Sequence, residues 1–153
     1  MSTRTAQHEY TIKEAAALTG LPASTLRYYE TIGVIAPISR GASSGHRVYD
    51  DTDLDQLTWV ACLAATGMSV SDMKKYVTNG QLGPSAAREQ IDLLTAQQRR
   101  LALEAEHVVL RQRYVALKID YWHAVAAGDA DRTALLEREA RGLADELKRA
   151  KTK

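Results

Sequence analysis

At 153 residues, 45% of them hydrophobic, the chain can bury one modest core with an appendage, which excludes two full domains. Its formal charge is +1, and residues 1–80 hold seven Lys/Arg against eight Asp/Glu, so a head that is basic overall is excluded and any attraction to nucleic acid must come from a patch. No run approaches the roughly 18 apolar residues of a membrane span and Met1–His8 carries no apolar signal region, so a cytoplasmic protein without a membrane partner is expected.

The first element is a short helix over 11–19, with Ile12, Ala15, Ala16 and Thr19 on one stripe, Thr11 as N-cap and Glu14 three residues on. Gly20 ends it and Pro22 suits the first turn of a second helix running to about Thr31. Two helices joined by so short a glycine-containing turn predict a helix-turn-helix. From Gly33 to Asp50 the helical period is lost. Pro37, Gly41, Ser43, Ser44 and Gly45 supply turn chemistry between the apolar runs Val34-Ile35-Ala36 and Val48-Tyr49, which predicts a small hairpin, or wing. Thr52 or Asp53 is expected to cap a third helix to about Thr66, with Leu54, Leu57, Ala61 and Ala65 inward, and Ser69 or Ser71 to cap a fourth to Val77.

Asn79 to Pro84 is expected to be a break, with Pro84 opening a long helix. Ile91, Leu94, Gln98, Leu101, Ala105, Val108, Gln112, Val115, Ile119 and Trp122 alternate spacings of three and four, a stripe too narrow to be covered by the head and suited to a second copy of the chain, the alternative being that the helix folds back on the head. The expected dimerisation contacts are Ile91, Leu94, Leu101, Val108, Val115, Ile119 and Trp122. Gly128-Asp129 marks another break before a charged terminal helix with Leu135, Leu136, Leu143 and Leu147. The fold class is therefore mainly α: a winged helix-turn-helix head at 10–80, a long dimerisation helix at 84–123 and a short terminal helix at 129–150.

A helix that reads a duplex needs small or hydrogen-bonding residues for base edges, and cationic or phenolic groups for the backbone. Ser24, Thr25, Arg27 and Tyr28 meet that need, while Leu26 and Tyr29 face the core with the Tyr29 hydroxyl in reach of a phosphate. Tyr10-Thr11-Ile12-Lys13-Glu14-Ala15-Ala16, Thr25-Leu26-Arg27-Tyr28-Tyr29-Glu30, Gly33, Pro37, Gly45-His46-Arg47-Val48-Tyr49 and Leu54 together resemble the MerR family of bacterial transcriptional regulators. The resemblance covers residues 10–77 closely, and the long helix matches the family's antiparallel dimerisation helix in position. It implies a homodimer on double-stranded promoter DNA that bends and untwists an overlong spacer so that RNA polymerase engages both promoter elements. It places DNA contacts at Lys13, Ser24, Thr25, Arg27, Tyr28, Tyr29, His46, Arg47 and Tyr49, with Arg47 as the wing arginine. Pro22 stands where many members carry a capping Ser, and Ala64 where some place a phosphate-gripping base.

The resemblance also frames the signal. Metal-sensing branches carry cysteines at both ends of the dimerisation helix; here there are none, His107 and His123 are isolated, and no metal or cofactor is expected. Cys62 excludes an intrachain disulfide and leaves a packing residue, a reactive thiol or an intermolecular partner. Five residues before Gly67-Met68, and with a short tail carrying Leu117 to Trp122, it resembles the small branch that responds to aldehydes and other thiol-reactive electrophiles. No local cation is placed to activate it, so packing competes with sensing. Tyr114, Tyr121 and Trp122 leave open a small ligand pocket at the C-terminal helices. An excisionase-like architectural protein and a coiled-coil adaptor are the rival binding classes. An enzyme lacks support, since no nucleophile with a base, carboxylate cluster or phosphate-binding glycine loop is found.

Overall fold

The computed structural model describes residues 8–151; Met1 to Gln7 of the opening segment lie outside the described residues. The elements are α1 (Ile12–Thr19), α2 (Ala23–Thr31), β1 (Ser39–Arg40), β2 (Arg47–Val48), α3 (Asp51–Ala65), α4 (Val70–Gln81), a 3₁₀ turn (Gly83–Ala86), α5 (Ala87–Ala126) and α6 (Ala130–Lys151). The chain forms two compact units that divide between Leu94 and Thr95. The fold is mainly α with one two-stranded antiparallel hairpin, as the sequence predicts.

In the first unit the local signals act as expected at α1. Thr11 Oγ1 accepts from the Glu14 N–H and the Glu14 carboxylate accepts from the Thr11 N–H, a reciprocal cap. Gly20, at φ 75°, closes the helix in the left-handed region that a side chain disfavours. Ala15, Leu26, Val34, Tyr49 and Leu57 are wholly buried, with Val60, Met68 and Met73 beside them. Each large apolar side chain removed from water here contributes about 1.5–3 kcal/mol before entropy is counted.

Four expectations need correcting. The first wing strand is Ser39–Arg40, not Val34-Ile35-Ala36: Val34 and Ile35 are buried in the core, and both their N–H groups donate to the Tyr29 carbonyl at the end of α2. The cap of α3 is Asp50, not Thr52 or Asp53; its side chain accepts from the Asp53 N–H and Asp53 answers to the Asp50 N–H. The inward face of α3 is Leu54, Leu57, Val60, Leu63 and Ala64, while Ala65 is exposed. Finally, α4 runs on through Asn79 and Gly80 to Gln81. Gln90 holds its end, donating to the Tyr76 carbonyl at 2.9 Å and accepting from the Asn79 amide at 3.2 Å, and the chain turns only at Gly83, φ 62°.

The second unit pairs α6 with the C-terminal part of α5. His107, Leu110 and Arg111 share a groove with Leu147, Ala150 and Lys151, and Leu117 and Asp120 share another with Arg138 and Leu143, so the two helices run antiparallel. Leu136, Ala140 and Leu143 of α6 and Ala124 of α5 are buried.

Candidate nucleic-acid interface

Helix α2 is oriented by its own spacing. Leu26 and Tyr29, three apart, are both buried, which turns Ser24, Arg27 and Tyr28 outward and leaves Thr25 half-buried. Pro22 occupies the N-cap and provides no side-chain acceptor. The outward residues are thus a hydroxyl, a guanidinium and a phenol on one face, a set able to hydrogen-bond phosphate oxygens and base edges.

The wing lies beside that face. β1 and β2 pair Ser39 with Val48 and Arg40 with Arg47, and the loop is braced by Arg40 Nη1 donating to the Gly45 carbonyl at 3.1 Å. Thr11, Ile12, Lys13, Arg27, Arg40, His46 and Arg47 then line one cleft of about 280 Å³. Four permanent cations from α1, α2 and both wing strands therefore converge within a head whose total charge is not basic. Arg40 is one of the four basic residues between positions 11 and 49 but is not among the expected contacts; the register brings it in, because with the first strand at Ser39–Arg40 it stands opposite Arg47.

Arg47 is not a freely extended wing arginine. Its Nε donates to Glu30 of α2 at 3.0 Å, with the two side chains only 18% and 13% exposed. Tyr49, expected among the DNA contacts, is wholly buried, because its backbone bridges to Tyr10 and turns the ring into the core. Burial pushes the Tyr49 hydroxyl above the usual phenol range, partly opposed by Arg47, and that hydroxyl has no hydrogen-bond partner among the described residues. Tyr29 is also buried, so of the contacts expected on α2, Ser24, Arg27 and Tyr28 are exposed and Thr25 is half-buried.

Cys62 is exposed on α3, so it is not a core packing residue; the inward positions around it are Val60, Leu63 and Ala64. Its neighbour Trp59 is 68% exposed. Along α5 the seven residues expected at the dimer seam, Ile91, Leu94, Leu101, Val108, Val115, Ile119 and Trp122, are all exposed, an apolar row that none of the described residues covers. Among the described residues no group of three or more His, Cys, Asp or Glu side chains is placed to hold a metal ion, and no helix is long and apolar enough to cross a membrane.

Known proteins resemble the chain over this region and beyond it. The family described as "MerR HTH family regulatory protein" matches residues 10–80. The HTH-type transcriptional regulator YyaN of Bacillus subtilis is 36% identical over 99 residues, 56% of this chain and 70% of its own length. AdhR of the same strain is 33% identical over 90 residues, 59% of this chain and 64% of its own length, so the chain spans about two thirds of these two regulators. A probable heavy metal-dependent transcriptional regulator of Haemophilus influenzae is 30% identical over 125 residues, 82% of this chain and 94% of its own length. Among solved structures, HiNmlR, a MerR family regulator lacking the sensor domain and bound to promoter DNA, superposes with a TM-score of 0.62 at 28% identity, covering 79% of this chain and 96% of that one. The relatives are transcriptional regulators and not enzymes, and the chain belongs to the MerR family of helix-turn-helix transcriptional regulators.

Proposed function

We propose that the chain binds double-stranded promoter DNA as a homodimer, with α2 in the major groove and the wing on the adjoining backbone. It regulates transcription there by bending and untwisting an overlong spacer for RNA polymerase. The observation that carries this reading is the single cleft in which Lys13, Arg27, Arg40, His46 and Arg47 meet, next to the outward Ser24 and Tyr28 of α2. A duplex is deformed at the expense of contact energy, and clustered cations on the phosphates are the contacts that supply it. The uncovered apolar row of α5 supports the dimer, since two heads at a fixed separation recognise two half-sites. The structure of HiNmlR with promoter DNA supports the same reading. Footprinting on the DNA upstream of its own gene tests it: protection centred between the two promoter elements is expected, and scattered or absent protection overturns it in favour of an architectural protein.

The signal is assigned to Cys62. Its exposure favours a thiol open to electrophiles over one that packs in the core. Cys62→Ser is expected to abolish induction of the target promoter by formaldehyde or a dicarbonyl; an unaltered response removes the thiol from the mechanism.

A further inference from the structure

Glu30 is an unexpected residue to find at a surface meant for phosphates. It sits at the end of α2, half-buried, in direct contact with the wing cation. A carboxylate there weakens the field of the cleft, so its presence calls for a compensating role.

Its bonds define that role. Arg47 Nε donates to Oε1 at 3.0 Å and to Oε2 at 3.4 Å, and the Ile38 N–H, at the start of the wing, donates to Oε2 at 3.4 Å. One side chain on α2 therefore holds both sides of the hairpin, through Ile38 just before β1 and Arg47 on β2. It takes only Nε of Arg47. Both terminal nitrogens make no bond to any described residue, while the side chain still lines the cleft beside Lys13, Arg27 and Arg40. A guanidinium gripped at Nε has its plane fixed and its two outer nitrogens presented, and that pre-ordering lowers the entropy lost when it meets a planar acceptor.

We infer that Glu30 is a positioning residue for DNA binding: it locks the wing to the reading helix and aims the outer nitrogens of Arg47 at a backbone phosphate. The inference rests on the DNA-binding reading above. It makes the acceptor geometry of Glu30, and not its charge, the property that matters.

The test compares Glu30→Gln, Glu30→Ala, Arg47→Ala and the double variant Glu30→Ala/Arg47→Ala in the full-length dimer. The probe is a duplex selected by the wild-type protein from a randomised library, with affinity followed against salt. Glu30→Gln keeps one of the two oxygen acceptors and is expected to lose less affinity than Glu30→Ala, which loses about tenfold. The salt slope for Glu30→Ala should fall by about one phosphate contact, as it does for Arg47→Ala, and the double variant should be no worse than Arg47→Ala alone. A merely structural Glu30 moves the melting temperature but leaves that slope unchanged, which overturns the proposal. Tighter binding by both Glu30 variants also overturns it, and marks the carboxylate as a brake. Failure to select any duplex, or wild-type affinity in Arg47→Ala, refutes the DNA-binding reading itself; impaired Arg47→Ala beside unimpaired Glu30→Ala refutes this inference alone.

Discussion

Tyr10 and Tyr49 exchange both backbone hydrogen bonds, 2.8 Å from the Tyr10 N–H to the Tyr49 carbonyl and 2.9 Å in return, so the residue before the N-cap of α1 is stitched to the residue after the wing. The Tyr49 ring is wholly buried by this stitch and its hydroxyl lacks a partner. Removing an unsatisfied buried hydroxyl is neutral or favourable. Tyr49→Phe is expected to raise stability by about 1 kcal/mol at neutral pH, read by urea denaturation; a loss of that size would show that the hydroxyl is satisfied.

Alkaline pH reports on the same pair. The hydrogen bond to the Asp51 carboxylate is the main cause raising the Tyr10 hydroxyl, and burial is the main cause for Tyr49. With both folded-state values above 10.0, the native state holds these protons more firmly than the unfolded chain. Stability is complete below the ordinary phenol pKa and falls as pH rises through the folded values. Melting temperature should drop more steeply above about pH 10 in the wild type than in Tyr49→Phe.

The start of α3 separates two acids by role. Asp50→Ala removes the N-cap and should cost about 1 kcal/mol. Burial is the largest cause holding the Asp53 carboxyl above its ordinary 3.8, so the native state favours its protonated form. Its contribution is fully present below the ordinary value and is lost as pH rises through the folded one. Asp53→Asn keeps an oxygen for the Asp50 N–H without the charge. Its stability relative to wild type should therefore improve between acid and neutral pH, and melting curves at several pH values check this.

Core and surface of the reading helix should respond differently. Leu26 is wholly buried, and Leu26→Ala should destabilise the head by about 3 kcal/mol. Arg27→Ala should leave the melting temperature unchanged while lowering DNA affinity about tenfold and reducing the salt slope by about one contact. Equal thermal losses in the two variants would place Arg27 in the core.

At the seam, Val108 is 45% exposed in the single chain. A charge there is tolerated by a lone helix but not by a paired one, so Val108→Asp should yield monomers in sedimentation velocity with helical content retained. A dimer of unchanged stability would move the interface elsewhere.

The parts of the fold written in short spacings were legible. Thr11, Glu14 and Gly20 mark α1 within ten residues of one another, and Leu26 with Tyr29 fix which side of α2 faces out. Segments decided by distant partners were not. Val34 and Ile35 have strand-like side chains, but the Tyr29 carbonyl draws both N–H groups into the exit from α2. Gly80 looks like a stop until Gln90 reaches back to Tyr76. Any of the acids after Tyr49 could cap α3; the bridge to Tyr10 leaves Asp50 extended and so selects it. At the site, Arg27, Tyr28 and His46 could be chosen from residue type and position, whereas the Glu30 bond to Arg47 crosses 17 positions and left no local trace.

The wing register carries a further consequence. Arg40 and Arg47 are direct cross-strand partners, and like charges so placed repel. Glu30 offsets Arg47, but among the described residues Arg40 has only the neutral Gly45 carbonyl, so the two-residue ladder closes there with positive charge that no described residue compensates. An anion arriving there relieves the hairpin as well as binding it. A polyanion bound there would link its occupancy to the folding of the wing, each phosphate contact tightening the same two strands that present it.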